Sequence, residues 1–427
     1  ESSIENSAAT TISEESSIDI SAFLAMGDIA TGEKVFKKQH YSHRYPFCDR
    51  TKTRIIYKVV DVIFLEATKL KDRMMEHNKK VEWIPESIGS GRFNEWLENC
   101  RDWAVSRTRY YGTPIPMWVT KDGSETKVFG SIKEIEEASG VDIKDLHRQY
   151  LDNLVITSDS GKPMHRVPFV FDCWFDSGCV PFAKKHYPFE NSNFFDDKEY
   201  LSDLFLEGID QTRGWFYSTL VVSTAIFDKP NAKTIVCCGI VLASDGKKMS
   251  KREKNYTDPE VTIKEFTSDA TRMYLISSPI LRAESMKFDE NFLKEVTKKM
   301  TPLMNSINLL GDYISMLEKG EIGPDFVNGT YTLDDVSDQW IVSKTDTLIK
   351  TIIESMKTYR LNICIDEIFT FVDNFCNWYL KLNRHRVKSL NKKCLSTFLN
   401  CLHKTAIIIS PFAPFTAEII YQFTSKY

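Results

Sequence analysis

No run of apolar residues in this chain is long enough to cross a bilayer; the best stretch, Leu220 to Phe227, falls far short of the roughly 20 residues needed. No secretory signal is expected from the opening stretch, which has no apolar core. Neither sign of charge dominates. With 55 basic and 59 acidic residues the net charge is −4, so any surface for nucleic acid must be local. Ten cysteines are spaced irregularly with no Cys-x-x-Cys pair, and Cys237 and Cys238 sit together in an apolar run. This excludes a disulfide framework and implies reduced, mostly buried thiols in the cytoplasm. His40, His43 and Cys48 lack a fourth partner, so no structural zinc is expected. There is no internal repeat.

What is present is the balance of a folded globular chain: 42% apolar and 27% charged over 427 residues, enough for two or more cores. Residues 1–30 show no sustained period and are left unassigned. The β-branched and aromatic content from Thr53 to Leu65 suggests strands. Ser106 to Val119 reads as extended or looping, punctuated by Gly112, Pro114 and Pro116. Asp122 to Asp152 is polar and acidic, with helical stretches around Ile132 to Ala138 and Asp142 to Tyr150.

Val167 to Trp174 reads as a buried strand and Leu204 to Glu207 as a short one, followed by Gly208 and a helix from about Gln211 to Phe227. Thr234 to Leu242 is continuously apolar, as in a strand of a parallel sheet. Asp258 is an N-cap, with Pro259 and Glu260 in the first turn of the next helix. The alternation predicts a doubly wound α/β core. From about Asp289 the period becomes helical throughout: Asn291 to Leu317, Trp340 to Tyr359, Leu361 to Arg386 and Lys393 to Ile409 predict an all-α domain.

Three segments carry candidate chemistry. The first is Ala243-Ser-Asp-Gly-Lys-Lys-Met-Ser-Lys-Arg252, directly after the apolar strand. Ser244, Asp245 and Gly246 form turns, so Lys248 and Lys251 project at the carboxyl end of a strand, where open α/β sheets bind ligands. They can neutralise a triphosphate, and Ser250 can hydrogen-bond it. A lysine-rich surface loop is the bland alternative. The second is Glu207-Gly-Ile-Asp-Gln-Thr-Arg-Gly-Trp215. Gly208 lets backbone approach a ligand, and the Asp210 carboxylate with the Gln211 amide can read two ribose hydroxyls. Alternatively, Asp210 caps a helix and Trp215 fills core. The third pairs Arg101 to Pro116 with Val170-Phe-Asp-Cys-Trp-Phe-Asp-Ser-Gly178, blandly a proline-bounded loop and a buried aromatic strand end. A basic run, Lys381 to Lys393, lies further on.

Together and in this order, these segments resemble the class I isoleucine–tRNA ligase family, most closely its cytoplasmic eukaryotic branch. Lys248-Met-Ser-Lys251 resembles the class signature loop, and Asp210-Gln-Thr-Arg-Gly-Trp215 the segment that separates isoleucine enzymes from valine and leucine ones. Asn377 to Arg386 and Pro411 to Glu418 resemble the helical anticodon-binding domain. The resemblance runs from about His43 to Tyr427. It implies the exit of an editing insertion over 31–47, the second half of a Rossmann-like catalytic domain over 48–288, and a helical anticodon-binding bundle over 289–427.

By the same resemblance, isoleucine is activated with ATP to isoleucyl-adenylate and passed to tRNA(Ile), with Mg²⁺ arriving on ATP and no metal held by the protein. Glu207, Gly208, Asp210 and Gln211 would hold the adenylate, Lys251 with Lys248 and Ser250 the ATP phosphates, and Trp174 and Trp215 the amino-acid side chain. Lys381, Arg384 and Arg386 would face tRNA. No membrane partner is implied, and a monomer or part of a larger chain is expected.

Departures are equally specific. His40-Tyr-Ser-His43 lacks the glycine of the family's His-x-Gly-His signature, so the chain is expected to be a fragment lacking the first half and inactive alone. Tyr111 stands where the family usually has Trp, and Asp61-Val-Ile-Phe64 where it usually reads Pro-Ser-Trp-Phe. Two other readings compete: a non-catalytic tRNA- or nucleotide-binding remnant, and a valine-type ligase. Intact Lys248, Lys251, Asp210 and Gln211 count against the remnant.

Overall fold

The computed structural model describes residues 46–48, 51–56, 59–250, 253–317 and 333–426. The chain divides into two units, residues 1–61 and 62–427. In the first, Phe47 bridges to Arg54 and the Cys48 N–H donates to the Thr53 carbonyl at 2.9 Å. The strands expected over Thr53 to Leu65 reduce, among the described residues, to that bridge and to Phe64–Leu65, which pairs with Trp103–Ala104 in the second unit. Ile55, Ile56, Val59 and Val60 are exposed; β-branching favours a strand only where a neighbour supplies the ladder. His40, His43 and the stretch 31–45 lie outside the described residues.

In the second unit helix α1 (Ala67–Lys80) leads into strand β1 (Glu82–Ile84). A separate antiparallel sheet follows: β2 (Met117–Thr120), β3 (Thr126–Val128), β4 (Val155–Thr157) and β5 (Pro163–Arg166), in the order β3–β2–β5–β4. Trp118, Ile135, Ile156 and Met164 form its core, Ile135 coming from helix α2 (Ile132–Ser139). Ser131 and Glu134 form a capping box at the start of α2, with the Glu134 N–H on Ser131 Oγ at 3.2 Å and the Gly130 N–H on Glu134 Oε2 at 3.1 Å. The helix expected over Asp142 to Tyr150 shrinks to Arg148–Leu151. The Asp145 carboxylate takes the His147 N–H at 2.7 Å and keeps the preceding residues in a turn.

Val167 to Trp174 is not one buried strand. Only Val170–Phe171 pairs, with Ser106–Arg107, and then Asp172 accepts the Trp174 N–H at 3.1 Å and starts helix α3 (Cys173–Gly178). The N-cap ends the strand. Beyond it, β6 (Leu204–Gly208), a 3₁₀ turn (Ile209–Arg213), helix α4 (Trp215–Phe227) and β7 (Thr234–Cys238) complete a parallel sheet of order β6–β7–β1. Met74 of α1, Trp83, Phe93, Phe216, Leu220 and Ile235 share its core, each such side chain worth about 1.5–3 kcal/mol on burial.

The apolar run from Thr234 breaks at Gly239. A Cβ there would lie 1.8 Å from the Glu284 carbonyl oxygen, so a crossing segment ends β7, and β8 (Val241–Leu242) pairs in parallel with β9 (Met286–Lys287) instead. Helices α5 (Pro259–Phe266) and α6 (Ser268–Ser277) follow, α5 capped by Asp258 on the Glu260 N–H at 2.8 Å.

The helical region comprises α7 (Glu290–Ser315), α8 (Val336–Lys357), α9 (Leu361–Val372), α10 (Lys392–Ile409) and α11 (Pro414–Thr424). A wider π turn (Asp373–Tyr379) continues α9. Its apolar core begins at Phe266, upstream of Asp289, and takes in Met273 and Tyr274 of α6. Among the described residues no helix is long and apolar enough to cross a membrane.

Candidate active site

In the parallel sheet Glu207 pairs with Cys237 and Gly208 with Cys238, so β6 and β7 end side by side and point the same way. Everything that follows either strand emerges at one carboxyl edge. Beyond β6 the 3₁₀ turn presents Asp210 and Gln211. A Cβ on Gly208 would sit 2.7 Å from Asp210 Oδ1, so only a residue without a side chain lets that carboxylate fold back over the strand end. Thr212 is buried beneath the turn and accepts a hydrogen bond from Arg92 Nε at 3.1 Å.

Asp210 does not cap α4. That role falls to Gln211, whose Oε1 accepts the Trp215 N–H at 3.0 Å. At Gly214 an added Cβ would lie 2.7 Å from Gln211 Oε1 and 3.1 Å from Trp174 Cη2, which places the Gln211 amide and the Trp174 indole against one bare patch of backbone. Trp215 packs on Phe205 at 4.6 Å between ring centroids, and its Nε1 donates to the Ser177 carbonyl at 2.9 Å. Trp174, read as the end of a buried strand, is 41% exposed on α3. Two indoles from separate elements therefore approach the turn that carries Gln211.

The edge is electrostatically mixed. Burial pushes the Cys237 thiol up to about 12, with Cys238 and Asp210 adding to the shift and Arg92 opposing it. Glu207 raises Cys238 in the same way, after burial. Both cysteines are thus neutral thiols under the strand ends, and none of the ten cysteines forms a disulfide.

Beyond β7 the chain passes β8 and turns back on itself. Leu242 bridges Lys248, and the Ala243 N–H donates to the Lys247 carbonyl at 2.9 Å. Gly246, at φ +79°, makes the turn over the Lys287 side chain. Asn255 holds the far side: its Oδ1 accepts the Ser250 N–H at 2.9 Å and its Nδ2 donates to the Lys248 carbonyl at 3.2 Å. Lys247 faces Asp245 at 3.8 Å, whereas the exposed Lys248 ammonium has no carboxylate partner among the described residues. Lys251 and Arg252 lie outside the described residues.

Sequence reasoning passed over Arg92 and Asn255, which orient the motifs without belonging to them, and gave Thr212 no role within its own motif. A large groove of about 970 Å³ adjoins the site on the Trp174 side, lined also by Arg107, Tyr111, His147, Asp172 and Asp176. Asp172 is buried and bound by Arg107 and by Trp103 Nε1.

In the helical region Lys381 and Arg384 are exposed. Arg386 is not available in the same way. It clasps the buried Asp338 through both terminal nitrogens, at 2.7 and 2.9 Å, and lies 3.3 Å from Asp335. Of the adjacent aromatics Trp378 and Tyr379, Tyr379 is buried in the helix core and Trp378 is 66% exposed.

A parallel sheet with a carboxylate–amide turn and a lysine loop at one edge, followed by a helical bundle, is the architecture of a class I synthetase catalytic domain joined to an anticodon-binding domain. The chain belongs to the tRNA synthetases class I (I, L, M and V), whose family model matches residues 5–287. An anticodon-binding domain of tRNA ligase matches residues 338–427. The first match begins well upstream of His43, where the resemblance becomes legible by eye.

Among curated proteins, the isoleucine–tRNA ligase of Chlamydia pneumoniae is 42% identical over 395 residues, which are 91% of this chain and 37% of that protein. The cytoplasmic isoleucine–tRNA ligase of Arabidopsis thaliana is 41% identical over 401 residues, 91% of this chain and 34% of that one. This chain thus spans little more than a third of their length. Among solved structures, methionyl-tRNA synthetase of Mycobacterium tuberculosis bound by methionyl-adenylate aligns with a TM-score of 0.57 at 16% identity, over 88% of this chain and 65% of that one. A LeuRS–tRNA–LeuAMS ternary complex from Agrobacterium radiobacter K84 aligns at 0.56 and 19%, over 76% and 41%. At these identities the likeness is one of fold alone.

Proposed function

We propose that this chain supplies part of an isoleucine–tRNA ligase, which activates isoleucine with ATP and transfers it to tRNA(Ile). The observation that carries the proposal is the pairing of Glu207-Gly208 with Cys237-Cys238, which sends the Asp210-Gln211 turn and the Lys248 loop out of the same sheet edge. The likeness to isoleucine enzymes at 41–42% identity supports the choice of amino acid.

In this reading the isoleucine carboxylate attacks the α-phosphorus of ATP, and pyrophosphate leaves. Charge grows on the phosphate oxygens, and Lys248 and Lys251, with Ser250, meet it. Asp210 and Gln211 take the ribose hydroxyls, beside Glu207 and Gly208 on the adenylate. Trp174 and Trp215 wall the isoleucine side chain. No protein nucleophile is needed; positioning and charge neutralisation lower the barrier. Mg²⁺ would arrive bound to the phosphates of ATP. Residues 48–288 serve as the second half of the catalytic domain and 289–427 as the anticodon-binding bundle, with Lys381 and Arg384 toward tRNA. The cytoplasm is the compartment of action, as for the cytoplasmic relatives.

Calorimetric titration with a non-hydrolysable isoleucyl-adenylate analogue tests this on the chain itself. An apolar pocket gains about 1–3 kcal/mol per methylene, a limit for which isoleucine against valine is the standard illustration. The isoleucyl analogue is therefore expected to bind at least about fivefold more tightly than the valyl one, while the chain alone gives no isoleucine-dependent pyrophosphate exchange. Equal or reversed preference contradicts the assignment to isoleucine.

A further inference from the structure

Beside the signature loop lies a cation that none of the motifs contains. Lys287 ends β9, and its partner in the ladder is Leu242, the last residue of β8 before the loop. On its other side Leu242 bridges Lys248. Residues paired across a ladder send their side chains to one face. Lys287 and Lys248 therefore flank Leu242 on the same face, on segments about 10 Å apart at two ladder spacings.

The turn that joins β8 to Lys248 passes over Lys287. A Cβ on Gly246 would lie 3.0 Å from Lys287 Cε and 3.5 Å from its Nζ, so the ammonium rests against bare backbone at the base of the loop. The strand beneath it is tied on both sides, because the Met286 and Phe288 N–H groups donate to the Ile240 and Leu242 carbonyls at 3.1 and 2.9 Å. Neighbouring carboxylates are engaged elsewhere. Asp245 takes the Lys247 N–H at 2.9 Å, Asp289 the Asn291 N–H at 2.8 Å, Glu290 the Thr257 hydroxyl at 3.1 Å and Glu284 the Arg282 Nε at 3.3 Å. Among the described residues the exposed Lys287 has no carboxylate partner.

Two ammoniums sent to one face with no carboxylate between them repel, and an anion placed there turns the repulsion into attraction. Gly246 leaves the backbone between them bare, so a bulky anion can come close. We propose that Lys287 is a further substrate-binding residue, whose ammonium meets the outer phosphates of ATP across the Gly246 turn. The proposal rests on the ligase reading, which sets the triphosphate against the Lys248 loop. It adds a cation carried on a paired strand to the cations carried on the loop.

Calorimetric titration of ATP and of the isoleucyl-adenylate analogue into the chain as it stands tests this. Lys287→Met keeps the stem over Gly246 and removes the charge. It is expected to weaken ATP binding at least about fivefold, as loss of one charged hydrogen-bonding partner does, and to flatten its salt dependence. Binding of the analogue, which has no outer phosphates, is expected to stay the same. Lys287→Arg is expected to restore ATP binding. Unchanged ATP affinity in Lys287→Met, equal weakening of ATP and analogue, or an arginine variant as weak as the methionine one each overturns the proposal. Should Lys287→Met fail to fold, Lys287→Gln decides in its place. If the unaltered chain binds the analogue, any of these results, or a failure to bind ATP, removes Lys287 alone. If it binds neither ligand, the ligase reading falls and Lys287 with it.

Discussion

Asn255 grips the signature loop at two points, accepting the Ser250 N–H at 2.9 Å and donating to the Lys248 carbonyl at 3.2 Å. That side-chain amide adds two ties to the backbone pairing of Leu242 with Lys248 and Ala243 with Lys247, and the exposed Lys248 has no carboxylate partner among the described residues. Exposed loop backbone opens at low cost in free energy. Replacing Asn255 with Ala removes both bonds. The expected result is severalfold faster trypsin cleavage between residues 247 and 254, with Asn255→Asp intermediate because it keeps only the acceptor. Equal cleavage rates would show that the clasp does not hold the loop.

The basic run of the helical region separates into two kinds of residue, and substitution is expected to tell them apart. Asp338 is 1% exposed and carries Arg386 on both oxygens as well as the Tyr379 hydroxyl at 2.7 Å. Asp338→Ala leaves the half-buried Arg386 guanidinium with only the more exposed Asp335 carboxylate at 3.3 Å and strips the Tyr379 hydroxyl of its acceptor, at a cost of about 3 kcal/mol, readable as a lower urea midpoint. Lys381→Ala and Arg384→Ala are expected to change stability by no more than about 0.5 kcal/mol while weakening tRNA binding. Equal stability losses in all three would contradict this division.

His77 gives the fold a pH dependence of known sign. Its ring is buried, Nε2 meets Asp228 at 3.0 Å, and Nδ1 has no partner among the described residues. Burial lowers its pKa below the ordinary 6.5, against the pull of Asp228 and with help from Arg73 and Lys80. The unfolded chain therefore binds a proton more readily than the folded one. The stability contributed by neutral His77 is complete above about pH 6.5 and falls as the pH drops through the lower folded value. Urea unfolding between about pH 7.5 and pH 5.5 should show this loss, and His77→Gln should flatten it. A variant with the same slope as the unaltered chain would rule His77 out as its source.

Much of this was legible in the sequence because it depends on neighbours along the chain. Asp258 and Asp289 cap α5 and α7 as their residue types predict, and the helical period locates α7, α8 and α10 within a few residues, whereas the single helix expected over Leu361 to Arg386 ends as α9 at Val372 and continues through the π turn and short helical segments. What was not legible depends on segments far apart. Nothing in the apolar run Thr234 to Leu242 announces that the Glu284 carbonyl crosses at Gly239. Nor does a run of basic residues reveal that Arg386 meets Asp338, 48 positions away. One local signal was overlooked. Asp122-Gly123 lies between β2 and β3, where Gly123 takes φ +68° and Asp122 accepts the Ser124 N–H at 3.1 Å, a hairpin turn that marks the antiparallel sheet. Within the site, letters placed the motif residues but not their supports, because Arg92 and Asn255 act through backbone and hydroxyl contacts that no spacing encodes.

The central claim is that the Asp210-Gln211 turn and the Lys248 loop serve one nucleotide. Calorimetric titration of ATP into the chain and into Asp210→Ala, Lys248→Ala and the double variant addresses it most directly. Each single change is expected to weaken binding by roughly tenfold, in keeping with the loss of one charged hydrogen-bonding partner, and the double variant to retain no saturable binding. Unaltered ATP affinity in either single variant would mean that the two segments do not share a ligand, and would contradict the account.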